Sequence, residues 1–155
     1  MAKGKAGTPT IENRRARHDY EILDTLECGI ALLGSEVKSI RAGKVSLGEG
    51  YVVVEGTPPR LTLLGVNVAE YPPAPGAHEP TRSRRLLAHR REIEKLARQV
   101  DQKGMTIVPL KMYFKEGYAK VLIGLGRGRG KSDKRQRIAE REMQRDMDRA
   151  MTRRR

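Results

Sequence analysis

The final 29 residues most limit what this chain can fold into, because they offer a hydrophobic core almost nothing. From Arg127 the sequence is RGRGKSDKRQRIAEREMQRDMDRAMTRRR, in which Ile138 is the one large aliphatic residue besides methionine. This segment has 12 Lys/Arg and 5 Asp/Glu, so it carries +7 of the +13 formal charge. With so few apolar side chains to bury, this segment cannot offset the conformational entropy that it would lose on folding by itself. We therefore predict one small domain and a tail that a polyanion completes.

The charge of the whole chain also points to a polyanionic partner, with a sequence pI of about 10.3. Arginine outnumbers lysine in the tail, and its planar guanidinium suits phosphates and stacks on bases, which favours nucleic acid over a membrane. A merely solvated surface is the alternative, which the clustering of charge disfavours. Cys28 is the single cysteine, so no intrachain disulfide can form. Without an 18-residue apolar run or a signal-peptide pattern, we expect a cytoplasmic protein.

Alternating residues predict a long half-buried strand near the start of the body. Its apolar face consists of Tyr20, Ile22, Leu26, Cys28, Ile30 and Leu32. Its polar face consists of Asp19, Glu21, Thr25 and Glu27. After Gly34 breaks the strand, Ser35 is a candidate cap for a helix over 36–42, which Gly43 ends.

Four further stretches have the composition of strands. They are residues 51–55, 61–69, 105–114 and 118–125. A Gly-Thr-Pro-Pro turn separates the first two, and Lys115-Glu116-Gly117 suits a hairpin between the last two. A proline-rich loop covers 71–80. Five or six short antiparallel strands with inserted helices predict a mainly β fold, a small Greek-key barrel with an aliphatic core.

A long helix is predicted to begin at Thr81 or Ser83 and to reach Lys103, with Gly104 after its last turn. Its apolar stripe consists of Leu86, Ile93, Leu96, Ala97 and Val100. Its opposite face consists of Arg84, Arg85, Arg90, Arg91 and Arg98. We expect the stripe to pack on the barrel and the arginines to face solvent.

Glycine alternates with leucine and arginine from Gly124 to Gly130, which predicts a flexible hinge between body and tail. No GxxxxGK[ST] pattern is present, so this is not a phosphate-binding P-loop. In the tail, arginine recurs every four residues at 137, 141, 145, 149 and 153. Like charges at this spacing disfavour an isolated helix, and a row of phosphates would reverse that penalty. A permanently disordered solubility tail is the alternative.

The sequence offers little for catalysis, since it lacks HExxH, GxSxG and a cysteine paired with a base. A second basic cluster, Asn13-Arg14-Arg15-Ala16-Arg17-His18, precedes the first strand. From the residues alone His18 is an ordinary exposed histidine, and the alternative is that it stacks on a base or bridges a phosphate. Glu27 is a lone exposed carboxylate, which is more often a hydrogen-bond acceptor than a general acid. An RNA-cleaving enzyme using His18 and Glu27 is therefore the minority hypothesis. We predict no enzyme, no metal and no cofactor.

Five blocks of this sequence resemble the small protein B (SmpB) family, the tmRNA-binding proteins of bacterial trans-translation. The blocks are NRRARHDY (13–20), GIALLGSEVKSIRAGK (29–44), EPTRSRRLLAHRREI (79–93), KGMTIVPLKMYFKEGYAKVLIGL (103–125) and SDKR (132–135). They follow the order and spacing of the family over nearly all of the body. Five ordered blocks are far more specific than a basic patch.

The resemblance implies a six-stranded antiparallel barrel related to the oligonucleotide-binding fold, with about three helices. It implies that the barrel binds the tRNA-like domain of tmRNA and that the tail enters the empty mRNA channel of a stalled ribosome, folding there into a helix. Alanyl-tmRNA then accepts the nascent chain, and elongation factor Tu is an indirect partner. We expect a disordered segment over 1–12, the barrel over 13–126, and a tail over 127–155 that is disordered when free.

By motif, Asn13, Glu27 and Leu87 match positions that the family uses to hold tmRNA. The full set of expected tmRNA contacts is Asn13, Arg14, Arg15, Arg17, Glu27, Lys38, Arg41, Arg84, Arg85, Leu87 and His89. His18 matches the family histidine that faces the decoding region of the small ribosomal subunit, and 133–135 match the DKR motif. The expected ribosome contacts are His18, Gly128, Arg129, Lys131, Asp133, Lys134, Arg135, Arg137, Arg141 and Arg145.

One departure from the family pattern lies just before the DKR motif. The family commonly has Gly-Lys-Lys there, whereas this chain has Gly128-Arg129-Gly130 followed by Lys131. Arg129 can replace the first lysine as a phosphate ligand, but Gly130 cannot replace the second, so that contact is lost or moves to Lys131. The alternative from a different class of protein is a structural ribosomal protein with a basic extension.

Overall fold

Strand pairing organises the computed structural model, which describes residues 8–102, 104–129 and 141–150. The strands are β1 (Ile11–Glu12), β2 (Tyr20–Ile30), β3 (Val45–Ser46), β4 (Tyr51–Glu55), β5 (Arg60–Leu64), β6 (Asn67–Val68), β7 (Arg84–Leu87), β8 (Met105–Lys115) and β9 (Tyr118–Gly128). The helices of the body are α1 (Arg14–Asp19), α2 (Gly34–Arg41) and α3 (Arg90–Val100). Residues 141–150 are also helical.

The six longer strands pair antiparallel in a ring, in the order β8-β4-β5-β7-β2-β9, with β9 pairing again with β8. The ring is loosely closed between β4 and β8, where the described residues form the single pair Val52 and Ile107. β1 pairs with the same edge of β8 as β4 does, further along the strand, and β3 and β6 form a separate ribbon. The predicted six-stranded barrel with flanking helices is confirmed, with incomplete closure at one seam.

Aliphatic side chains fill the interior, as expected for a chain with one Phe and no Trp. Leu61, Leu86 and Ile107 are at most 1% exposed, and each such burial contributes about 1.5–3 kcal/mol. Along the second half of β2 the predicted alternation holds, with Thr25 and Glu27 exposed and Leu26, Cys28 and Ile30 packed in the core. In its first half the alternation fails, because Leu23 is exposed and Tyr20 and Ile22 pack in a separate cluster with Ala16, Val108 and Leu110. A register shift between Ile22 and Asp24 marks an irregularity in the pairing of β2 with β9.

The predicted helix from Thr81 or Ser83 is wrong in its first half, where the chain forms β7 instead. Arg84 and Leu86 are buried while Arg85 and Leu87 are exposed, which is strand periodicity. This strand lies between β5 and β2, where pairing outweighs local helix preference. The helix begins only at Arg90, with the Glu92 carboxylate accepting from the His89 amide at 3.0 Å.

The start of the body is more ordered than the sequence indicated. Ile11–Glu12 pairs with β8, so the ordered body begins before residue 13. The basic cluster that follows is a helix rather than an approach to the first strand. Asn13 begins that helix because its side-chain oxygen accepts from the Ala16 amide at 3.1 Å.

The start of helix α2 and the extent of the strand predicted over 61–69 differ from the prediction. Helix α2 begins at Gly34 with the Glu36 carboxylate accepting from the Leu33 amide at 2.8 Å, so Ser35 is not its cap. The predicted strand over 61–69 divides at Gly65, whose φ of +75° is the left-handed conformation that glycine tolerates.

The glycines at the end of the body are packing residues rather than the predicted hinge. Strand β9 continues to Gly128, three residues past the predicted end. A Cβ at Gly124 would lie 2.8 Å from Leu110 Cδ1, and one at Gly126 would lie 3.1 Å from Tyr20 Cβ. Glycine is required there because neighbouring side chains occupy the space, which is a reason that local sequence cannot reveal. Gly130 lies outside the described residues.

Candidate nucleic-acid interface

Four adjacent strands place a row of residues on the outer surface of the barrel. Tyr113 of β8 pairs with Lys120 of β9, Lys120 pairs with Gly29 of β2, and Gly29 pairs with Leu87 of β7. Glu27 lies two residues before Gly29 on the same side of β2. We call this surface the Glu27 face, consisting of Glu27, Gly29, Leu87, Tyr113 and Lys120.

Glu27 is held as an ionised hydrogen-bond acceptor. The Tyr113 hydroxyl donates to its Oε2, and the Lys115 ammonium lies 3.4 Å from its Oε1. The bond from Tyr113, helped by Lys115, lowers the pKa of the Glu27 carboxyl below its usual value despite some loss of solvent. Partial burial and the bond to Glu27 raise the pKa of Tyr113 to about 12. The carboxylate therefore keeps its charge and one orientation at neutral pH.

An open cleft of about 550 Å³ lies beside this carboxylate. Its lining residues are Leu26, Glu27, Gly29, Leu87, Ala88, His89, Glu92 and Lys120. The structure thus brings together Glu27, Leu87 and His89, which the sequence analysis placed on separate elements. Leu87 is 49% exposed, so its side chain is available to a ligand in the cleft. An acceptor, a cation and an apolar side chain together suit the edges of an RNA base or ribose.

Two of the expected tmRNA contacts instead lie inside the protein. Arg84 is 1% exposed and binds the Glu36 carboxylate, so it cannot reach a ligand on the surface. Asn13 is 4% exposed, and its amide donates to the carbonyls of Leu47 and Pro109. The expectation of a direct contact is wrong for Arg84, and Asn13 is occupied in fixing the start of α1.

Helix α1 presents a separate basic surface. Arg14, Arg15, Arg17 and His18 are all exposed. Arg15 contacts Glu49 at 2.5 Å and Asp19 at 3.6 Å, and His18 Nδ1 lies 3.0 Å from Asp19 Oδ1. Glu27 lies further along β2, and His18 is not among the residues that line the cleft beside it. Nothing in this geometry supports the RNA-cleaving arrangement of His18 and Glu27.

The other expected contacts are Arg85, which is exposed on β7, and two residues of helix α2. Lys38 and Arg41 are exposed, with Lys38 Nζ 5.2 Å from the centre of the Tyr71 ring. The Arg41 guanidinium lies 5.3 Å from the centre of the Phe114 ring. These cation–π contacts orient the side chains while leaving their charges open to solvent.

Sequence reasoning missed Tyr113, Lys115 and Lys120. A signal was present, because the hairpin between β8 and β9 turns on Glu116 and Gly117, both with positive φ. Counting outward from such a two-residue turn pairs Tyr113 with Lys120. The bond from Tyr113 to Glu27 had no comparable signal, since it joins residues 86 positions apart.

The predicted ribosome contacts near the tail divide into three groups. Gly128 pairs with Tyr20, and the Arg129 amide donates to the Asp19 carbonyl at 3.0 Å. Arg141 and Arg145 are exposed on the 141–150 helix. The remaining contacts, Lys131, Asp133, Lys134, Arg135 and Arg137, lie outside the described residues.

The described ranges hold neither a cluster of metal ligands nor a membrane-spanning helix. Residues 8–102, 104–129 and 141–150 contain no group of three His, Cys, Asp or Glu side chains arranged to hold a metal ion. None of the helices in those ranges is long and apolar enough to cross a membrane.

The fold and its surfaces define a class of protein: a small antiparallel barrel with a cleft beside a fixed carboxylate, basic helices α1 and α2 on its outside, and a basic C-terminal extension. Comparison with known proteins then identifies the family. The SmpB protein family matches residues 10–153, so this chain belongs to that family.

Individual relatives match along nearly their whole length. The chain is 53% identical to an SsrA-binding protein of Microcystis aeruginosa over 92% of each chain. It is 48% identical to an SsrA-binding protein of Anaeromyxobacter dehalogenans over 97% of each. Among solved structures, it superposes with a TM-score of 0.67 and 48% identity on a chain from a structure described as tmRNA-SmpB on a journey to the center of the bacterial ribosome. That match covers 84% of this chain and 95% of the other.

Proposed function

We propose that this protein binds tmRNA, the SsrA RNA, through the tRNA-like domain, and that the Glu27 face is the main contact. The observation that carries this proposal is the convergence of Glu27, Leu87 and His89 on one open cleft. The carboxylate is fixed by Tyr113 before any ligand arrives, so little ordering remains to be done on binding. Exposed Leu87 supplies apolar contact, and Lys120 supplies a cation beside it.

The second half of the proposal is ribosome rescue, in which the bound tmRNA is brought to a stalled ribosome and its reading frame tags the nascent peptide. The exposed His18 helix is on a different part of the body from the Glu27 face, so both surfaces can be occupied together. The tail would enter the empty mRNA channel, with small-subunit ribosomal RNA as its partner. Elongation factor Tu takes part indirectly through alanyl-tmRNA. The protein acts in the cytoplasm and as a binding protein rather than an enzyme.

Purification from the native host with the bound RNA sequenced tests the proposal directly. We expect one abundant structured RNA with a tRNA-like end, and far less protein than ribosomes in the cell. A protein present once per ribosome, with only ribosomal RNA attached, would support the structural ribosomal protein instead. Family membership favours the first outcome.

A paired variant locates the contact. Glu27 and Glu21 are both exposed carboxylates of β2, but only Glu27 belongs to the cleft. Glu27→Gln should release most of the bound RNA, and Glu21→Gln should retain it. Equal retention by both variants would show that the RNA binds elsewhere.

A further inference from the structure

A second cleft, of about 420 Å³, lies next to the Glu27 face and is lined by four arginines. The four arginines are Arg60, Arg82, Arg84 and Arg85, and Ala31 and Thr62 are also in the lining. It lies where the end of β2 meets β7 and β5: the Ala31 amide donates to the Arg85 carbonyl at 2.9 Å, and Arg85 pairs with Thr62. We call it the arginine cleft.

The floor of the arginine cleft carries more positive than negative charge. Arg82 donates to both carboxylate oxygens of Glu36, at 2.8 and 2.7 Å, and Arg84 donates to the same carboxylate at 2.8 Å. One carboxylate therefore faces two guanidinium groups. Since Glu36 is fully buried, solvent screens this imbalance only weakly.

The rim adds two arginines whose charges are available. Arg60 and Arg85 are exposed, and neither has an ion pair within the described part of the chain. The nearest acidic residue by register is Glu55, which is opposite Arg60 across β4 and β5 and is itself exposed to solvent. The lining residues and the Glu36 carboxylate below them carry a net charge of +3, which falls to +2 when Glu55 is counted with them.

The arginine cleft continues the Glu27 face. Arg85 and Leu87 are on the same side of β7, two residues and about 7 Å apart. A nucleotide whose base or ribose covers Leu87 would therefore direct a neighbouring backbone phosphate towards Arg85. A guanidinium is suited to that phosphate because it donates two parallel hydrogen bonds.

We propose that the arginine cleft binds a backbone phosphate of the RNA that occupies the Glu27 face, with Arg85 and Arg60 as its ligands and the Arg82–Glu36–Arg84 cluster as a fixed positive floor. This inference rests on the proposed RNA-binding function. It adds a phosphate-binding site to which Arg60 and Arg82 contribute, neither of which the sequence analysis assigned to RNA.

The test is the salt dependence of binding to the isolated tRNA-like domain, measured for the wild type, Arg60→Gln, Arg85→Gln and the double variant. Each lost phosphate contact should weaken binding about tenfold and reduce the slope of log affinity against log salt by about 0.7–0.9. Arg98→Gln is the matched control, since Arg98 is also exposed but lies on α3, outside both clefts. Thermal unfolding of each variant confirms that the fold is intact.

The outcomes separate this inference from the function on which it rests. If the wild type fails to bind the RNA, the proposed function fails. If the wild type binds and the double variant keeps both its affinity and its salt slope, the arginine cleft is not a phosphate site although the function stands. Ethylation of RNA phosphates gives an independent readout, because at least one interfering phosphate in the wild type should cease to interfere in the double variant.

Discussion

Arginine serves opposite purposes in the barrel and in the tail. Arg84 is fully buried in the barrel, where its guanidinium binds Glu36 and the carbonyls of Val66 and Arg82. On the 141–150 helix, Arg141 and Arg145 are exposed to solvent. The same side chain holds the fold in one region and offers charge to a ligand in the other. Local sequence does not distinguish these cases, since both are arginine-rich stretches with helical spacing.

The buried and the exposed guanidinium groups differ in their hydration, because folding removes water from Arg84 and leaves it around the tail arginines. Burial lowers the pKa of Arg84, and the Glu36 carboxylate counteracts that effect by pairing with the charge. Burial also opposes ionisation of Glu36, but the bonds from Arg82, the Leu33 amide and Arg84 outweigh it and lower the pKa of that carboxyl. Each partner depends on the other because neither charge has water. The exposed tail arginines have water and need no partner.

Truncation tests the division between body and tail most severely. A chain ending at Arg129 keeps every strand of the barrel, so it should fold and bind the tRNA-like domain as the full chain does. It should lose peptide tagging on stalled ribosomes completely. A chain ending at Leu125 loses the pairs that Gly126, Arg127 and Gly128 make with β2 and β8, and should unfold more easily. Wild-type tagging by the Arg129 truncation would show that the tail has no part in rescue.

Removing one charge from the buried cluster should affect stability far more than the same change in the tail. Glu36→Gln leaves Arg84 buried without its counter-ion, which should cost about 3–5 kcal/mol in the free energy of unfolding. Glu142→Gln, on the exposed 141–150 helix, should change it by less than about 0.5 kcal/mol. Denaturant unfolding measures both, and similar values for the two variants would contradict the comparison.

The pH dependence of the Glu36 effect follows from the direction of its pKa shift. The folded state has the lower pKa, so the unfolded state takes up a proton first as pH falls. The stability that Glu36 contributes is complete above its usual value of 4.5 and is lost as pH falls from there towards the folded pKa. The gap between wild type and Glu36→Gln should therefore narrow below pH 4.5.

A proline in the tail helix tests whether the tail must be helical or whether an extended, positively charged segment is enough. Arg145→Pro in the middle of 141–150 removes a backbone donor and disfavours helix by about 3 kcal/mol. We expect tagging to fall strongly and tmRNA affinity to stay the same. Arg145→Ala removes the same charge and keeps the helix, so the difference between the two variants isolates the helix. Full tagging by Arg145→Pro would show that an extended tail is enough.

The Glu27 face should respond in binding rather than in stability, which contrasts it with Glu36. Glu27→Gln and Leu87→Ala should each leave the melting temperature close to wild type because both side chains are exposed. Loss of a charge-assisted bond from Glu27 to RNA should weaken binding by about 1.5–3 kcal/mol. Binding isotherms with the tRNA-like domain measure this loss of binding free energy. Wild-type affinity in both variants would remove these residues from the site.

A pair of glycine substitutions locates the end of the rigid body. Gly124→Ala places a methyl against buried Leu110 and should destabilise the barrel by about 1–3 kcal/mol. Gly128→Ala meets nothing closer than the Tyr20 ring at 3.7 Å and should be tolerated. Unfolding in urea measures the stability of both variants. Equal stability of the two variants would support the flexible hinge that the sequence predicted.

The sequence by itself determined the features that depend on neighbouring residues. The alternation along β2 predicted which side Glu27 faces, because successive strand residues point to opposite sides. The hairpin at Glu116 and Gly117 was predictable from its turn residues. The apolar-poor tail marked the end of the core, and five ordered blocks of residues were enough to indicate the family to which the chain belongs.

Only the tertiary structure decided the features that join distant parts of the chain. Arg84 is buried because Glu36, 48 residues earlier, meets it inside the barrel. Tyr113 fixes Glu27 across 86 residues, and Gly124 is glycine because Leu110 lies against it. Spacing along the chain says nothing about such contacts, since they arise when strands far apart in sequence become neighbours in a sheet. The candidate site depends on such contacts between strands. The sequence therefore indicated residues such as Glu27 and Leu87 one by one, and only the fold brought them together.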